Sequence, residues 1–142
     1  MQRATSSKGM AGLILAGVLG AAMVGSWANP AQAQRAAGLE GSWSGGGRVI
    51  FPSGDSERAR CRATFRRQAG STYSMNATCA TSSARIAQVA SVRKVGAGNY
   101  AGRFRNAEYD VSGAIKITLR GDRLAASLSG GGGGSARLSL TR

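Results

Sequence analysis

The sequence predicts an all-β fold: a small eight-stranded antiparallel up-and-down barrel, with a two-sheet β-sandwich as the alternative. Two observations carry this. After Gly41 almost every segment alternates apolar and polar residues with period two, and Gly, Ser, Asn or Asp breaks the alternation at short intervals, the pattern of short strands joined by tight turns. No helix of useful length is visible. Eight strands that neighbour one another in sequence close most naturally into a barrel, which leaves no edge unpaired.

The first strand is expected around residues 43–51. The second, in residues 57–67, sets Ala59, Cys61, Ala63 and Phe65 on one face and Arg58, Arg60, Arg62 and Arg66 on the other. The third places Tyr73, Met75, Ala77 and Cys79 on its apolar face. With Gly70 at the centre of the turn, Phe65 faces Met75, Ala63 faces Ala77 and Cys61 faces Cys79. Directly opposed residues lie roughly 4.5–5.5 Å apart at Cα, close enough for a disulfide, so the register predicts a Cys61–Cys79 bond. A one-residue slip would separate the sulfurs and invert both faces.

A fourth strand is expected around residues 85–93. In the fifth, Tyr100, Gly102 and Phe104 pair across a loop at residues 105–108 with Tyr109, Val111 and Gly113, which begin the sixth. Ile115, Ile117 and Leu119 then run into Gly121-Asp122, a two-residue turn signal, and Leu124, Ala126 and Leu128 run out. This sets Leu119 against Leu124, Ile117 against Ala126 and Ile115 against Leu128. The last strand carries Ala136, Leu138 and Leu140 on one face. The glycine runs at residues 45–47 and 130–134 read as a bulged first strand and a hairpin loop; a phosphate cradle needs a helix N-terminus behind it, and none follows.

Ahead of the barrel, Arg3 and Lys8 precede an apolar run over residues 9–24 and a small-residue exit ending Ala31-Gln32-Ala33. These are the three parts of a secretory signal. An apolar core of about 15 residues is short of the roughly 20 that a spanning helix needs. The expected organisation is a signal peptide at residues 1–33, an N-terminal tail at 34–41 and one barrel domain at 42–142, located in the periplasm or secreted. An outer-membrane barrel would turn an apolar, aromatic-girdled face outwards; here that face is rich in Ala and Gly.

Histidine is absent, which removes the usual base of Ser and Cys hydrolases and the commonest metal ligand. The only two cysteines are expected to pair in an oxidising compartment. The carboxylate pairs Asp55 with Glu57 and Glu108 with Asp110 fall at or beside loops among arginines, where salt bridges are the better account. Gly41-Ser42-Trp43-Ser44-Gly45 puts Trp where a nucleophile elbow needs Ser. Turn chemistry explains Arg120-Gly121-Asp122 without an adhesion role. The expectation is no enzyme, no cofactor and no metal.

Without the signal segment the chain keeps 17 Lys and Arg, all but two of them Arg, against 6 acids, a net +11. Such a charge draws polyanions, among them lipopolysaccharide and acidic glycans. Arg58, Arg60, Arg62 and Arg66 form a candidate anion-binding row with a repeat of about 6.6–7 Å. A solvated arginine face of no function is the competing account. The inward set of Ala59, Ala63, Ala77, Gly102, Gly113 and Ala126 is small enough either to leave room for a small apolar ligand or to let a narrow barrel pack shut.

Gly41-Ser42-Trp43 resembles the Gly-x-Trp opening of lipocalin-like barrels. That resemblance makes Trp43 a structural residue at one barrel end, covered by a last-strand cation, Arg137 or Arg142. The early-strand disulfide and the ending Leu138-Ser139-Leu140-Thr141-Arg142 resemble small periplasmic metalloproteinase inhibitors, which implies an exported protease as partner and residues 34–40 as the inhibitory tail. Deleting that tail is expected to leave the fold intact. Gly41-Ser42-Trp43-Ser44-Gly45-Gly46-Gly47, Glu57-Arg58-Ala59-Arg60-Cys61-Arg62-Ala63 and Cys79-Ala80 are similar to a family of uncharacterised small exported bacterial proteins, which implies export and fold but no activity. The functional expectation is an exported binding protein acting through its interior or its Arg-rich face; the alternatives are a protease inhibitor and a structural envelope protein.

Overall fold

A computed structural model describes residues 38–142, and the segment read as a signal peptide lies outside them. Eight antiparallel strands form a closed barrel in sequence order. They are β1 (Gly41–Ile50), β2 (Ser56–Ala69), β3 (Thr72–Ala80), β4 (Arg85–Gly96), β5 (Asn99–Asn106), β6 (Val111–Arg120), β7 (Arg123–Gly130) and β8 (Ser135–Thr141). β1 closes the ring by pairing with β8 from Ser44 opposite Thr141 to Ile50 opposite Ser135. Alternation along each strand sends one set of side chains into a single core and leaves the other in water.

The two ends of the barrel are built differently. At one end the hairpin turns are two residues long, at residues 70–71, 97–98 and 121–122, and Gly70, Gly98 and Gly121 take the left-handed conformation there with φ of 54°, 68° and 57°. At the other end four or five residues connect the strands, at 51–55, 81–84, 107–110 and 131–134.

The β2–β3 register is the expected one: Phe65 opposite Met75, Ala63 opposite Ala77, Cys61 opposite Cys79. An irregularity between Arg67 and Ala69 preserves it through the turn. Cys61 and Cys79 are disulfide-bonded with Cα atoms 4.1 Å apart. Both cysteines are buried, so the bond lies on the inner face of the wall. The β6–β7 pairs are also those expected.

Two local expectations fail. β1 carries no bulge, because its register with β2 and β8 is continuous. Its glycines serve close approach instead: a Cβ at Gly45 would overlap the backbone oxygen of Ser139, and one at Gly47 that of Arg137. The β5–β6 connection is also displaced. Phe104 pairs with Gly113, Gly102 with Ile115 and Tyr100 with Ile117, and β5 runs on to Asn106. The reason is turn chemistry at residues 107–110. The Asn106 side chain accepts the Tyr109 backbone N–H at 3.0 Å, and Asp110 adopts φ of 50°, both habits of Asn and Asp in turns. Tyr109 therefore leaves the strand and stands on the rim, 46% exposed.

Candidate functional site

The closed end is sealed by side chains from both termini of the described chain. Trp43 and Leu39 are among the largest fully buried side chains, and the Trp43 indole N–H donates to the Leu39 carbonyl at 2.9 Å. Arg142 covers the Trp43 ring with its guanidinium carbon 4.5 Å from the centroid. The same guanidinium donates to the carbonyls of Gly38 at 2.7 Å and Glu40 at 3.3 Å and pairs with Asp122 at 3.3 Å. Of the two candidate cations, Arg142 is thus the one used, and Arg137 points outward into solvent. Beside this latch, Tyr73 and Tyr100 pack edge to face with centroids 5.6 Å apart, and Arg67 donates to the Tyr73 hydroxyl at 3.0 Å. That hydrogen bond raises the Arg67 pKa, and burial is the main cause of the raised Tyr100 pKa.

Residues 38–40 are therefore built into the barrel end. Residues 34–40 are expected from the sequence to be separable from the fold; Leu39 is instead part of the core, 0% exposed. Residues 34–37 lie outside the described part.

The opposite end is open. A cavity of about 180 Å³ sits behind the long loops, lined among others by Phe51, Ile86, Phe104, Tyr109, Val111 and Leu128. Cys79 of the disulfide forms part of its wall. Two amide side chains also line it, Gln88 from β4 and Asn106 from β5. Gln88 is half-buried with no side-chain hydrogen bond in the described structure, and Asn106, the one buried polar residue there, spends only its Oδ1 on the Tyr109 N–H. The site is thus apolar with two amide groups able to orient a guest.

Deeper in, the space shrinks to a void of about 10 Å³ bordered by Ala63, Ala77 and Ala126 among others. None of the six small inward residues picked from the sequence lines the open cavity. Around the three alanines, Phe65, Met75, Ile115 and Leu138 fill the middle, so here the narrow barrel does pack shut. Sequence reading missed Gln88 and Asn106. The signal was available for Gln88, an amide at an inward position of β4 between Ile86 and Ala90.

Arg58, Arg60, Arg62 and Arg66 all stand exposed on the outer face of β2. Ring closure adds two arginines that the sequence row did not include: Arg48 lies directly opposite Arg58 and, on its other side, directly opposite Arg137. Among the acids, Glu57 does not pair with this row. Its carboxylate accepts the Ser83 hydroxyl at 2.6 Å and the Ser83 backbone N–H at 3.2 Å. Those bonds, with help from Thr81, hold its pKa at about 2. Asp55 accepts from the Ser53 hydroxyl at 2.8 Å. Among the described residues no three metal-ligating side chains converge.

No protein-family model and no curated protein matches the sequence. The barrel is similar to designed ones. mFAP1, a redesigned β-barrel bound to DFHBI, superposes with a TM-score of 0.62 at 13% identity over 73% of this chain and 94% of that one. mFAP0, likewise bound to DFHBI, gives 0.63 at 15% identity over 73% and 98%. At such identities the likeness is one of fold.

Proposed function

We propose that this is an exported binding protein that takes a small, largely apolar ligand through the open end of its barrel. The observation that carries the reading is the cavity beneath the long loops, mostly apolar in its lining, with Gln88 and Asn106 whose amides have hydrogen-bonding capacity to spare. Concave apolar sites with a few convergent polar groups are the usual form of small-molecule sites. At about 180 Å³ the space matches a single substituted ring; an engineered apolar cavity of roughly 150 Å³ holds benzene. The DFHBI complexes of mFAP1 and mFAP0 support the same use of the fold. The lack of a histidine and of a nucleophile motif favours binding over catalysis, and the Cys61–Cys79 disulfide favours a non-reducing compartment, periplasmic or secreted. Native mass spectrometry of protein purified from its own host tests the reading. A retained small molecule, released by denaturation, is expected; protein that is always free of ligand, and takes up none from a panel of substituted phenols and indoles, would refute it.

A further inference from the structure

A second site lies on the outer wall, independent of the cavity. Arg58, Arg48 and Arg137 stand side by side on β2, β1 and β8, each directly opposite the next. Neighbouring strands are about 4.8 Å apart, so the backbone positions of the three arginines span about 10 Å. Arg60 adds a fourth, two residues along β2, and the residue opposite it is Gly46, which has no side chain. The result is a shallow groove with Gly46 in its floor and Arg48, Arg58, Arg60 and Arg137 around it.

Like charges directly opposed across strands are destabilising, and a protein normally offsets them with acids. Here it does not. The one ion pair among the described residues joins Arg142 to Asp122 at the closed end. Glu57, next to Arg58 in sequence, is held by Ser83. The side chain of Arg48 is steadied by a hydrogen bond of 2.9 Å to Ser56 Oγ, which leaves the rest of its fork free.

We propose that this groove binds two neighbouring phosphate groups, each bridged by a pair of guanidinium groups. Arginine's planar fork suits phosphate oxygens, and two such groups match a patch of about 10 Å by 7 Å. The repulsion within the free cluster is what the ligand relieves. The phosphates can come from a soluble diphosphate or from an anionic lipid surface, and the two sources are separable by experiment.

The test is calorimetric titration of the full folded barrel with pyrophosphate at low ionic strength, beside co-sedimentation with phosphatidylcholine vesicles with and without phosphatidic acid. Three proteins are compared: wild type, R48Q/R137Q, and the charge-matched R93Q/R103Q, whose substitutions lie on β4 and β5 across the barrel. Wild type and R93Q/R103Q are expected to bind with dissociation constants within about threefold of each other, and R48Q/R137Q at least tenfold more weakly. Pyrophosphate heat without vesicle binding identifies the soluble source; vesicle binding alone that needs Arg48 and Arg137 identifies the lipid. Equal losses in the two variants would reduce the effect to net charge and overturn the site, as would no binding by wild type in either assay. Without ligand, R48Q/R137Q should melt no lower than wild type. If it does melt lower, the single variant R48Q serves in its place.

Discussion

Arg142 lies over the ring of Trp43, 4.5 Å from its centroid, so that the end of β8 locks the start of β1. The same guanidinium holds the carbonyls of Gly38 and Glu40 and the Asp122 carboxylate. One side chain thereby ties together three segments distant in sequence. Replacing it with Ala removes a cation–π contact and several charge-assisted hydrogen bonds, a loss of roughly 2 kcal/mol. Urea denaturation of R142A should show that loss, and R142K, with its charge but no fork, should fall between.

Leu39 is fully buried at the same end. L39A should cost about 2–5 kcal/mol, as for other fully buried leucines. Deleting residues 34–40 should lower the melting temperature at least as far as L39A does. A deletion variant that melts like wild type would show that the plug does not contribute to the fold.

The disulfide closes a loop with a sequence separation of 18. Loop closure of this length is worth roughly 3 kcal/mol, so C61A/C79A should lose about that amount in denaturant titration. Because both sulfurs are buried, reduction of the native protein should be slow without denaturant.

Glu57 gives the barrel a pH dependence. Its pKa is about 2 in the fold against an ordinary value of 4.5, through the Ser83 and Thr81 hydrogen bonds. A depressed carboxylate pKa contributes stability that is complete above the unfolded value and is lost as pH falls towards the folded one. E57Q should therefore melt below wild type at neutral pH, and the gap should close between pH 4.5 and about 2. A gap that is constant across that range would mean the charge of Glu57 plays no part.

Much of this was legible in the sequence wherever local pattern decided the outcome. Period-two alternation fixed which face of each strand turns inward, and Gly70 and Gly121 fixed two registers, one of which brings Cys61 to Cys79. Side-chain capture of backbone was not legible: Asn106 takes the Tyr109 N–H, which lengthened β5 and moved the β5–β6 pairing. Nor was long-range closure. The contact of β1 with β8 makes neighbours of Arg48 and Arg137, and no local window shows it. The cavity's position depends on which end of the barrel Trp43 and Leu39 plug, a matter of how large side chains fill the interior and not of how small ones line it.

The most direct test of the account is whether the open end takes a ring. Titration with p-cresol, followed by NMR of the folded barrel, should give saturable shifts confined to the residues around Ile86, Gln88, Phe104 and Leu128. I86W should fill the space and abolish the shifts while the barrel stays folded. Shifts that are absent in wild type, or that persist in a folded I86W, would contradict the assignment of the cavity as a binding site.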